Sequence, residues 1–173
     1  MRTDLYWIEG PWLGRLAISS RPRGGDWLED EIRSWQRAGL DVIVSLLTSD
    51  EIADLDLMQE AKLCQDHGLQ FISFPIVDRS VPSSRRTAID LVRKLDETLT
   101  AGKDVVIHCR QGIGRAALIA AGLLVSSGVD PETAFQQVSA ARGVAVPETP
   151  EQRKWVKELS REFETKTEPD DES

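Results

Sequence analysis

Apolar residues in this chain gather into five short runs, each bounded by polar residues, glycine or proline. Runs of this length and composition predict β-strands, and they cover residues 5–8, 16–18, 42–47, 69–74 and 104–107. The run at 42–47 is almost continuously apolar, which is typical of a strand buried on both faces. Glycine and proline between the first two runs indicate a hairpin at one edge of a sheet.

The segments between these runs have the spacing, caps and stops of helices. In residues 27–38 the apolar side chains recur with helical spacing, and Gly39 ends the segment. Thr48 stands three residues before Glu51 in the pattern of a capping box, which predicts one helix from there to His67. Further helices are predicted at residues 83–102, 116–126, 131–142 and 150–163.

Strands that alternate with helices predict an α/β fold. We expect a single domain with a central, mostly parallel sheet of about five strands and helices on both faces. The length of 173 residues suits one hydrophobic core, and we expect the domain to span residues 1–164. Residues 165–173 are acidic and lack apolar side chains, so we expect a disordered tail there.

Composition narrows the classes of partner. The formal net charge of −8 argues against nucleic acid and anionic membranes. The apolar run at residues 116–125 is too short to span a bilayer, and the amino-terminal residues lack a signal-peptide pattern, so we expect a cytoplasmic protein. Cysteine and histidine spacings predict no metal, and we expect no cofactor. Cys64 is expected to pack in the core, although its pairing with an oxidised Cys109 stays open.

One stretch carries candidate chemistry. Residues 108–115, His-Cys-Arg-Gln-Gly-Ile-Gly-Arg, lie between a predicted strand and a predicted helix. A loop in this position presents free backbone N–H groups and a helix dipole to an anion. Gly112 and Gly114 let the backbone curl around that anion. The same groups would stabilise a Cys109 thiolate, and Arg115 can take two oxygens of the anion at once.

This His-Cys-x5-Arg pattern with internal glycines resembles the phosphate-binding loop of the cysteine-dependent protein tyrosine phosphatases, and most closely that of their small dual-specificity branch. The resemblance implies a two-step hydrolysis in which Cys109 attacks phosphorus, a phosphocysteine forms, and water then releases phosphate. Arg115 would clamp the equatorial oxygens of the transition state. His108 is expected to donate a hydrogen bond that holds the shape of the loop. The other predicted phosphate-binding residues are Arg110, Gln111, Gly112, Ile113 and Gly114, and we call residues 109–114 the cysteine loop.

The leaving group of such a reaction needs a proton, and Asp78 is the candidate general acid. It follows the predicted strand at 69–74, so it should lie at the same edge of the sheet as the cysteine loop. Its surroundings, Phe-Pro-Ile-Val-Asp with Pro82 four residues on, resemble the acid loop of the small dual-specificity phosphatases, and we call residues 75–82 the acid loop. A solvent-exposed loop aspartate is the alternative. Asp104 is a weaker rival, because it begins a strand at the far end from the site.

Residues 142–152 are similar to a late loop in which, in that family, a polar side chain can position the hydrolytic water; we call residues 143–149 the late loop. Gln152 and Thr149 are the candidates here, although a helix cap explains both of them equally well. Glu51 is a candidate partner of Arg115, since its loop also follows a parallel strand. A solvent-exposed glutamate in the first turn of a helix is the alternative for Glu51.

One position departs from the family pattern. The residue after the arginine is usually serine or threonine, whose hydroxyl stabilises the thiolate as a leaving group, and here it is Ala116. We therefore expect attack by Cys109 to survive and hydrolysis of the phosphocysteine to be slowed.

These residues favour a phosphomonoester hydrolase that acts on phosphoproteins. Phosphotyrosine is the first expected substrate, and a shallow site in so short a chain would admit phosphoserine or phosphothreonine as well. Ala116 favours an alternative, a module that binds phosphoproteins without useful turnover. A phosphoinositide phosphatase is a further alternative, although residues 111–114 contain no lysine. The oligomeric state stays open.

Overall fold

A five-stranded sheet forms the centre of the protein. The computed structural model describes residues 4–167, with the side chains of residues 4–164. The strands are β1 (Tyr6–Ile8), β2 (Leu16–Ser19), β3 (Val42–Ser45), β4 (Gln70–Ser73) and β5 (Val105–His108). Their order is β1-β2-β5-β3-β4, with β1 antiparallel to β2 and the other neighbouring pairs parallel. The predicted mostly parallel sheet with a hairpin at one edge is confirmed.

Helices cover both faces of this sheet. Side chains along β5 alternate between two hydrophobic cores, with Val105 and Ile107 in one and Val106 in the other. The larger core lies under α4, α5, α6 and α7, and the smaller one under α1 and α3. The helices are α1 (Leu28–Arg37), α2 (Ser49–Asp54), α3 (Glu60–Asp66), α4 (Arg85–Thr100), α5 (Arg115–Ser126), α6 (Pro131–Arg142) and α7 (Pro150–Thr167).

The segment from Thr48 to His67 contains two helices, so the prediction of one continuous helix is wrong. The capping box of Thr48 and Glu51 is present, but α2 ends at Asp54, and Asp56 adopts a positive φ of 57°. This turn buries Leu57 in the smaller core and lets the Asp56 carbonyl accept a hydrogen bond from the Gly25 N–H at 3.0 Å. Burial of one leucine and a long-range backbone contact thus end a helix that its local sequence favours.

At the other end of the chain, the backbone of α7 continues through Thr167. Residues 165–167, which we expected in a disordered tail, are therefore helical, and residues 168–173 lie outside the described part. None of the helices in the described part is long and apolar enough to cross a membrane.

The carboxyl ends of the four parallel strands meet at one edge, where the segments that follow them are hydrogen-bonded to each other. The Leu46 N–H donates to the His108 carbonyl at 2.9 Å, and the Ile76 N–H donates to the Leu46 carbonyl at 3.0 Å. The Arg21 N–H donates to the Arg110 carbonyl at 3.3 Å. Because β5 is the central strand, the loop after it is surrounded by the loops after β2, β3 and β4.

Candidate active site

The cysteine loop lies between β5 and α5, as predicted. Cys109 is 2% exposed, and α5 begins at Arg115 with Gly114 as a cap that offers no side chain. Gly112 has a φ of 71°, and a Cβ there would lie 2.7 Å from the backbone of Ser19. Gly112 is therefore required both by its conformation and by space. Gly114 has a negative φ, and a Cβ there would collide only with the carboxylate end of Glu148, a flexible side chain that could move aside.

The outer side of the cysteine loop is held by Arg142, at the end of α6. Its Nε donates to the Gly112 carbonyl and its Nη2 to the Gln111 carbonyl, both at 3.1 Å. The guanidinium also lies over the ring of Tyr6, 4.3 Å from its centroid. Because Arg142 binds these carbonyls on the outer side of the loop, the N–H groups of the loop are favoured to point towards its inner side, where an anion would bind. The sequence analysis placed Arg142 at the end of a helix and at the start of the segment similar to a late loop, and it missed this contact.

Arg115 is buried at 1% exposure and forms a two-pronged ion pair with Glu51. Its Nη1 lies 2.7 Å from Glu51 Oε1, its Nη2 lies 2.9 Å from Oε2, and Nη1 also donates to the Ile76 carbonyl at 2.9 Å. Nε has no hydrogen-bond partner in the described part of the chain, and an oxygen of a bound phosphate would satisfy it. The structure thus brings Glu51 to Arg115 and leaves one donor for a ligand.

Electrostatics keep this pair charged. Burial by itself raises the pKa of the Glu51 carboxyl, but hydrogen bonds from Arg115 and Thr48 outweigh burial and lower this pKa to about 2. Burial also opposes the charged form of Arg115, yet its bonds to Glu51 raise the pKa of the guanidinium above its ordinary value. Arg110 adds a further positive charge, with Nη1 3.6 Å from Glu51 Oε2.

Asp78 lies at the mouth of the same site. The acid loop follows β4 and places Asp78 Oδ1 3.3 Å from Arg115 Nη2, with 57% of the Asp78 side chain exposed. Asp104, the rival acid, lies at the opposite end of β5 and accepts hydrogen bonds from Arg15 at 2.7 and 2.9 Å. A carboxyl group within reach of both solvent and the guanidinium can move a proton at the site, whereas Asp104 is engaged elsewhere.

These groups line one pocket of about 180 Å³. Cys109 and Arg115 line it together with Asp78, and Glu148 of the late loop forms a further part of its wall. The sequence analysis did not single out Glu148. The sequence feature that could have pointed to Glu148 is its position two residues before Pro150, where a helix is predicted to begin. The cysteine loop contributes the remaining neighbours Arg110, Gln111, Ile113 and Gly114, and the acid loop contributes Arg79.

Gln152 and Thr149 lie beside the pocket and act as helix caps. The Thr149 hydroxyl accepts from the Gln152 N–H at 3.1 Å, and Gln152 Oε1 accepts from the N–H groups of Glu148 and Thr149. Gln152 Nε2 donates to the Ser80 carbonyl at 3.1 Å. Gln152 is fully buried, and these bonds engage both ends of its amide. It therefore ties the late loop to the acid loop.

His108 lies behind the cysteine loop, on the other face of the sheet. Its Nε2 is 2.6 Å from Glu60 Oε2 of α3, both side chains are buried, and the ring stacks on Trp35 with 5.9 Å between centroids. Within the described part, Nδ1 has no partner. The expected hydrogen bond from His108 to the cysteine loop is replaced by one to Glu60, because successive side chains of β5 point to opposite faces.

The same alternation separates the two cysteines. Cys64 packs in the smaller core and Cys109 in the larger one, so the sheet lies between them. Burial raises the pKa of the Cys64 thiol far above its ordinary value. A disulfide between them would need the backbone to move, which leaves Cys64 as the predicted core residue. Ala116, next to Arg115, is fully buried in the larger core.

A family model described as "Polymorphic toxin system, DSP-PTPase phosphatase" matches residues 18–129. The match covers more than half of the chain and includes both the cysteine loop and the acid loop. The chain belongs to this family. The sequence resemblance to dual-specificity phosphatases is thereby confirmed.

Curated relatives of this DSP-PTPase family member are similar to it in sequence. Protein 197R of Invertebrate iridescent virus 6, whose name describes a tyrosine phosphatase, is 28% identical over 142 residues, which cover 80% of this chain and 51% of that protein. The chain spans between half and two thirds of the length of the curated relatives that it matches.

Two solved structures are similar over nearly their whole length. The active form of Tk-PTP has a TM-score of 0.75 and 29% identity, with 91% of this chain and 96% of that chain covered. The kinase associated phosphatase with a substitution of its catalytic cysteine to serine has a TM-score of 0.83 and 19% identity, with 95% and 97% covered. The latter similarity shows the fold alone.

Proposed function

We propose that this chain hydrolyses phosphomonoesters on phosphoproteins, with Cys109 as the nucleophile. One observation carries the proposal: Cys109, Arg115 and Asp78 line a single pocket at the carboxyl edge of the sheet. A nucleophile, a clamp for phosphate oxygens and an acid are the three groups that phosphate ester cleavage through a covalent intermediate requires.

In the first step the Cys109 thiolate attacks phosphorus, and the bond from phosphorus to the ester oxygen breaks. Asp78 gives its proton to that oxygen as it leaves. Arg115 offers an equatorial oxygen its Nε, the donor that has no partner in the described part of the chain, and Glu51 holds the guanidinium in place from behind. The cysteine loop adds backbone N–H groups, as expected for residues 109–114.

In the second step water attacks the phosphocysteine and gives a proton to the Asp78 carboxylate that the first step left ionised. The bond from phosphorus to sulfur breaks, and its electrons return to Cys109. No hydroxyl at position 116 supports the departing thiolate, since that residue is a buried alanine. We therefore propose that the second step limits turnover.

Both signs of charge line the pocket, with Asp78 and Glu148 on one side of the balance and Arg79 and Arg110 on the other. We favour phosphoproteins over phosphoinositides because residues 111–114 contain no lysine that would attract a second phosphate of the substrate. A substrate with one phosphate, such as a phosphotyrosine side chain, is therefore the first candidate, and phosphoserine and phosphothreonine remain the further candidates.

Ala116 is the observation that favours a second function, capture of phosphoproteins without turnover. An acid and a nucleophile in the same pocket favour the enzyme instead, because a binding module needs neither.

Cys109→Ser tests the proposal, with Cys64→Ala as the control that removes the other thiol. We expect Cys109→Ser to lower hydrolysis of an aryl phosphate by about a thousandfold or more, since the nucleophile is lost, while vanadate still binds. Cys64→Ala should retain activity. The measurement is phenol release after rapid mixing, together with vanadate binding by calorimetry. Full activity of Cys109→Ser would show that Cys109 is not the nucleophile. A native chain that binds vanadate but hydrolyses no aryl phosphate would favour the binding module.

We also propose that the protein works in a reducing compartment such as the cytoplasm. Both cysteines are free, and a catalytic thiolate needs such an environment to stay reduced. Localisation of the tagged full-length protein by microscopy tests this.

A further inference from the structure

A groove with a larger volume than the active-site pocket lies directly beside it. The groove holds about 400 Å³, against about 180 Å³ for the pocket, and it lies between residues 81–85 and residues 151–158 of α7. We call it the side groove. Its volume is within the range of about 300–1,000 Å³ that is typical of ligand-binding clefts. No step of the proposed reaction uses it.

The side groove and the active-site pocket share both of their walls. On the acid-loop wall, Asp78 and Arg79 line the pocket and Val81 lines the groove. On the opposite wall, Glu148 lines the pocket and Glu151 lines the groove. The backbone from Arg79 to Val81 spans at most about 7 Å. Because an extended chain advances about 3.3 Å per residue, a polypeptide whose phosphorylated side chain enters the pocket brings its flanking residues to the groove.

The groove is formed before any substrate binds. Ser80 and Gln152 lie between the residues of the pocket and those of the groove, and Gln152 Nε2 donates to the Ser80 carbonyl at 3.1 Å. Arg85 Nη2 donates to Glu158 Oε1 at 2.6 Å and so joins α4 to α7 across the groove. These two contacts hold the walls at a fixed separation, which lowers the cost of ordering the site when a ligand binds.

Apolar side chains form the floor of the side groove. Val81, Pro82 and Trp155 line it, with Trp155 5% exposed and Val81 packed against the larger core. An aliphatic side chain that enters the groove would bury its own apolar surface against these three residues, which is favourable in water.

The charges that line the groove cancel. Arg85 and Lys154 are positive, and Glu151 and Glu158 are negative. Arg85 is already bound to Glu158, and its Nη1 lies 3.5 Å from Glu162 Oε2. Glu151 lies in the first turn of α7, where the helix dipole favours a carboxylate. The long Lys154 side chain can cover apolar surface while its ammonium stays in water. The lining therefore favours an uncharged side chain.

We propose that the side groove binds an apolar side chain of the phosphoprotein substrate, from a residue within about four positions of the phosphorylated one. This inference rests on the proposed function and adds a determinant of substrate choice to it. The pocket binds the phosphate group that all substrates share, and the groove distinguishes one phosphorylated sequence from another. Leucine in the right position should therefore raise kcat/KM.

The test compares short phosphotyrosyl peptides as substrates of the full chain. In the reference peptide every residue beside the phosphotyrosine is alanine, and in the test series leucine replaces one of these alanines at each position in turn. We expect leucine in at least one position to raise kcat/KM about tenfold over the alanine peptide, since apolar surface is buried in the groove. A parallel series with aspartate measures whether a charged side chain is selected instead.

Ser83→Trp is the variant that fills the groove, because Ser83 is exposed and lines it. The ratio of kcat/KM between the best leucine peptide and the alanine peptide should fall from about ten to about one in this variant. A ratio within one variant cancels any general effect on the reaction. Arg86→Trp is the control, since residue 86 is also exposed but lies outside the groove, and it should keep the native ratio.

Four results would overturn the inference: no leucine peptide exceeds the alanine peptide in the native chain, aspartate is preferred to leucine, Ser83→Trp keeps the preference for leucine, or Arg86→Trp loses it as well. Hydrolysis of the alanine peptide that depends on Cys109 would leave the proposed function standing in each of these cases. If the native chain hydrolyses neither phosphopeptides nor nitrophenyl phosphate through Cys109, the proposed function fails and this inference fails with it.

Discussion

The cysteine loop and the acid loop lie across one pocket but are built in opposite ways. The side chains that meet phosphate are buried, with Cys109 and Arg115 at 2% and 1% exposure. The carbonyls on either side of Cys109 accept hydrogen bonds from the loops after β3 and β2, and Arg115 is bonded to Glu51. The acid loop presents Asp78 with 57% and Arg79 with 65% of the side chain exposed. Arg79 also adopts a positive φ of 62°, which is uncommon outside glycine.

This difference follows from what each loop does in the proposed reaction. An anion site gains most when its donors are already oriented, because nothing then has to be reorganised as charge develops. A proton donor has to reach both solvent and the leaving group, so exposure suits it. The structure joins the two loops through the late loop, by the bond from Gln152 to Ser80 and by the approach of Arg79 to Glu148.

Among variants that keep the nucleophile, a change at Glu51 on the rigid side should have one of the largest effects. Glu51→Gln keeps the capping box but removes the charge opposite Arg115, and we expect kcat/KM to fall about a hundredfold as the guanidinium loses its fixed position.

The pKa of Glu51 is lowered from 4.5 to about 2 in the folded protein, so the pair stabilises the fold above pH 4.5 and this stability is lost as the pH falls towards 2. The shift corresponds to about 3 kcal/mol.

Urea unfolding at several pH values checks this prediction. The native chain should lose stability steeply between pH 4.5 and 2, and Glu51→Gln should lose much less over the same range. Glu132→Gln is the matched control, because Glu132 accepts two bonds from Arg153 at 3.0 and 3.1 Å but is 56% exposed. An equal acid dependence in the native chain and Glu51→Gln would contradict the prediction.

On the exposed side, Asp78→Asn should slow hydrolysis of alkyl phosphates by about a hundredfold, because their leaving oxygen needs a proton. Activated aryl phosphates should be affected much less. A series of aryl phosphates with increasing leaving-group pKa measures this, and the plot of log rate against that pKa should steepen in the variant. Parallel plots for the native chain and the variant would point to another acid.

Arg142→Met tests whether a residue outside the pocket holds the cysteine loop in shape. Losing two charged hydrogen bonds to the carbonyls of Gln111 and Gly112 should weaken vanadate binding about tenfold, while the fold persists. Arg153→Met is the control, since Arg153 also lies over an aromatic ring, but it pairs with Glu132 and does not line the pocket. Calorimetric titration with vanadate compares the two, and equal affinities would show that Arg142 does not shape the loop.

The smallest effect is expected at Ala116. Ala116→Ser would supply a hydroxyl beside the departing thiolate, and we expect a few-fold higher steady rate with an unchanged burst. Rapid mixing with an activated aryl phosphate measures both phases. An unchanged steady rate would mean that departure of the thiolate does not limit turnover, and thermal melting shows whether the fully buried position accepts a serine.

Much of the site was predictable because it is encoded locally. The apolar run of β5, the glycines and the start of α5 lie within a few residues of Cys109, so periodicity and residue types sufficed to predict a strand, a loop and a helix. The order of strands and helices also placed Asp78 and Glu51 at the right edge of the sheet. The break between α2 and α3 was missed, because no glycine or proline marks it and the burial of Leu57 decides it.

By itself, then, the sequence determined the alternation of strands and helices, the cysteine loop and the type of chemistry. Only the tertiary structure decided which distant groups complete the site: Arg142, thirty residues beyond Gly112; Glu60, 48 residues from His108; and Glu148, over Gly114. Local patterns depend on neighbours within a turn or two of the chain. These contacts depend on how α3, α6 and the late loop pack against the sheet. That packing results from the burial of side chains throughout both cores, so no short segment of the sequence predicts it.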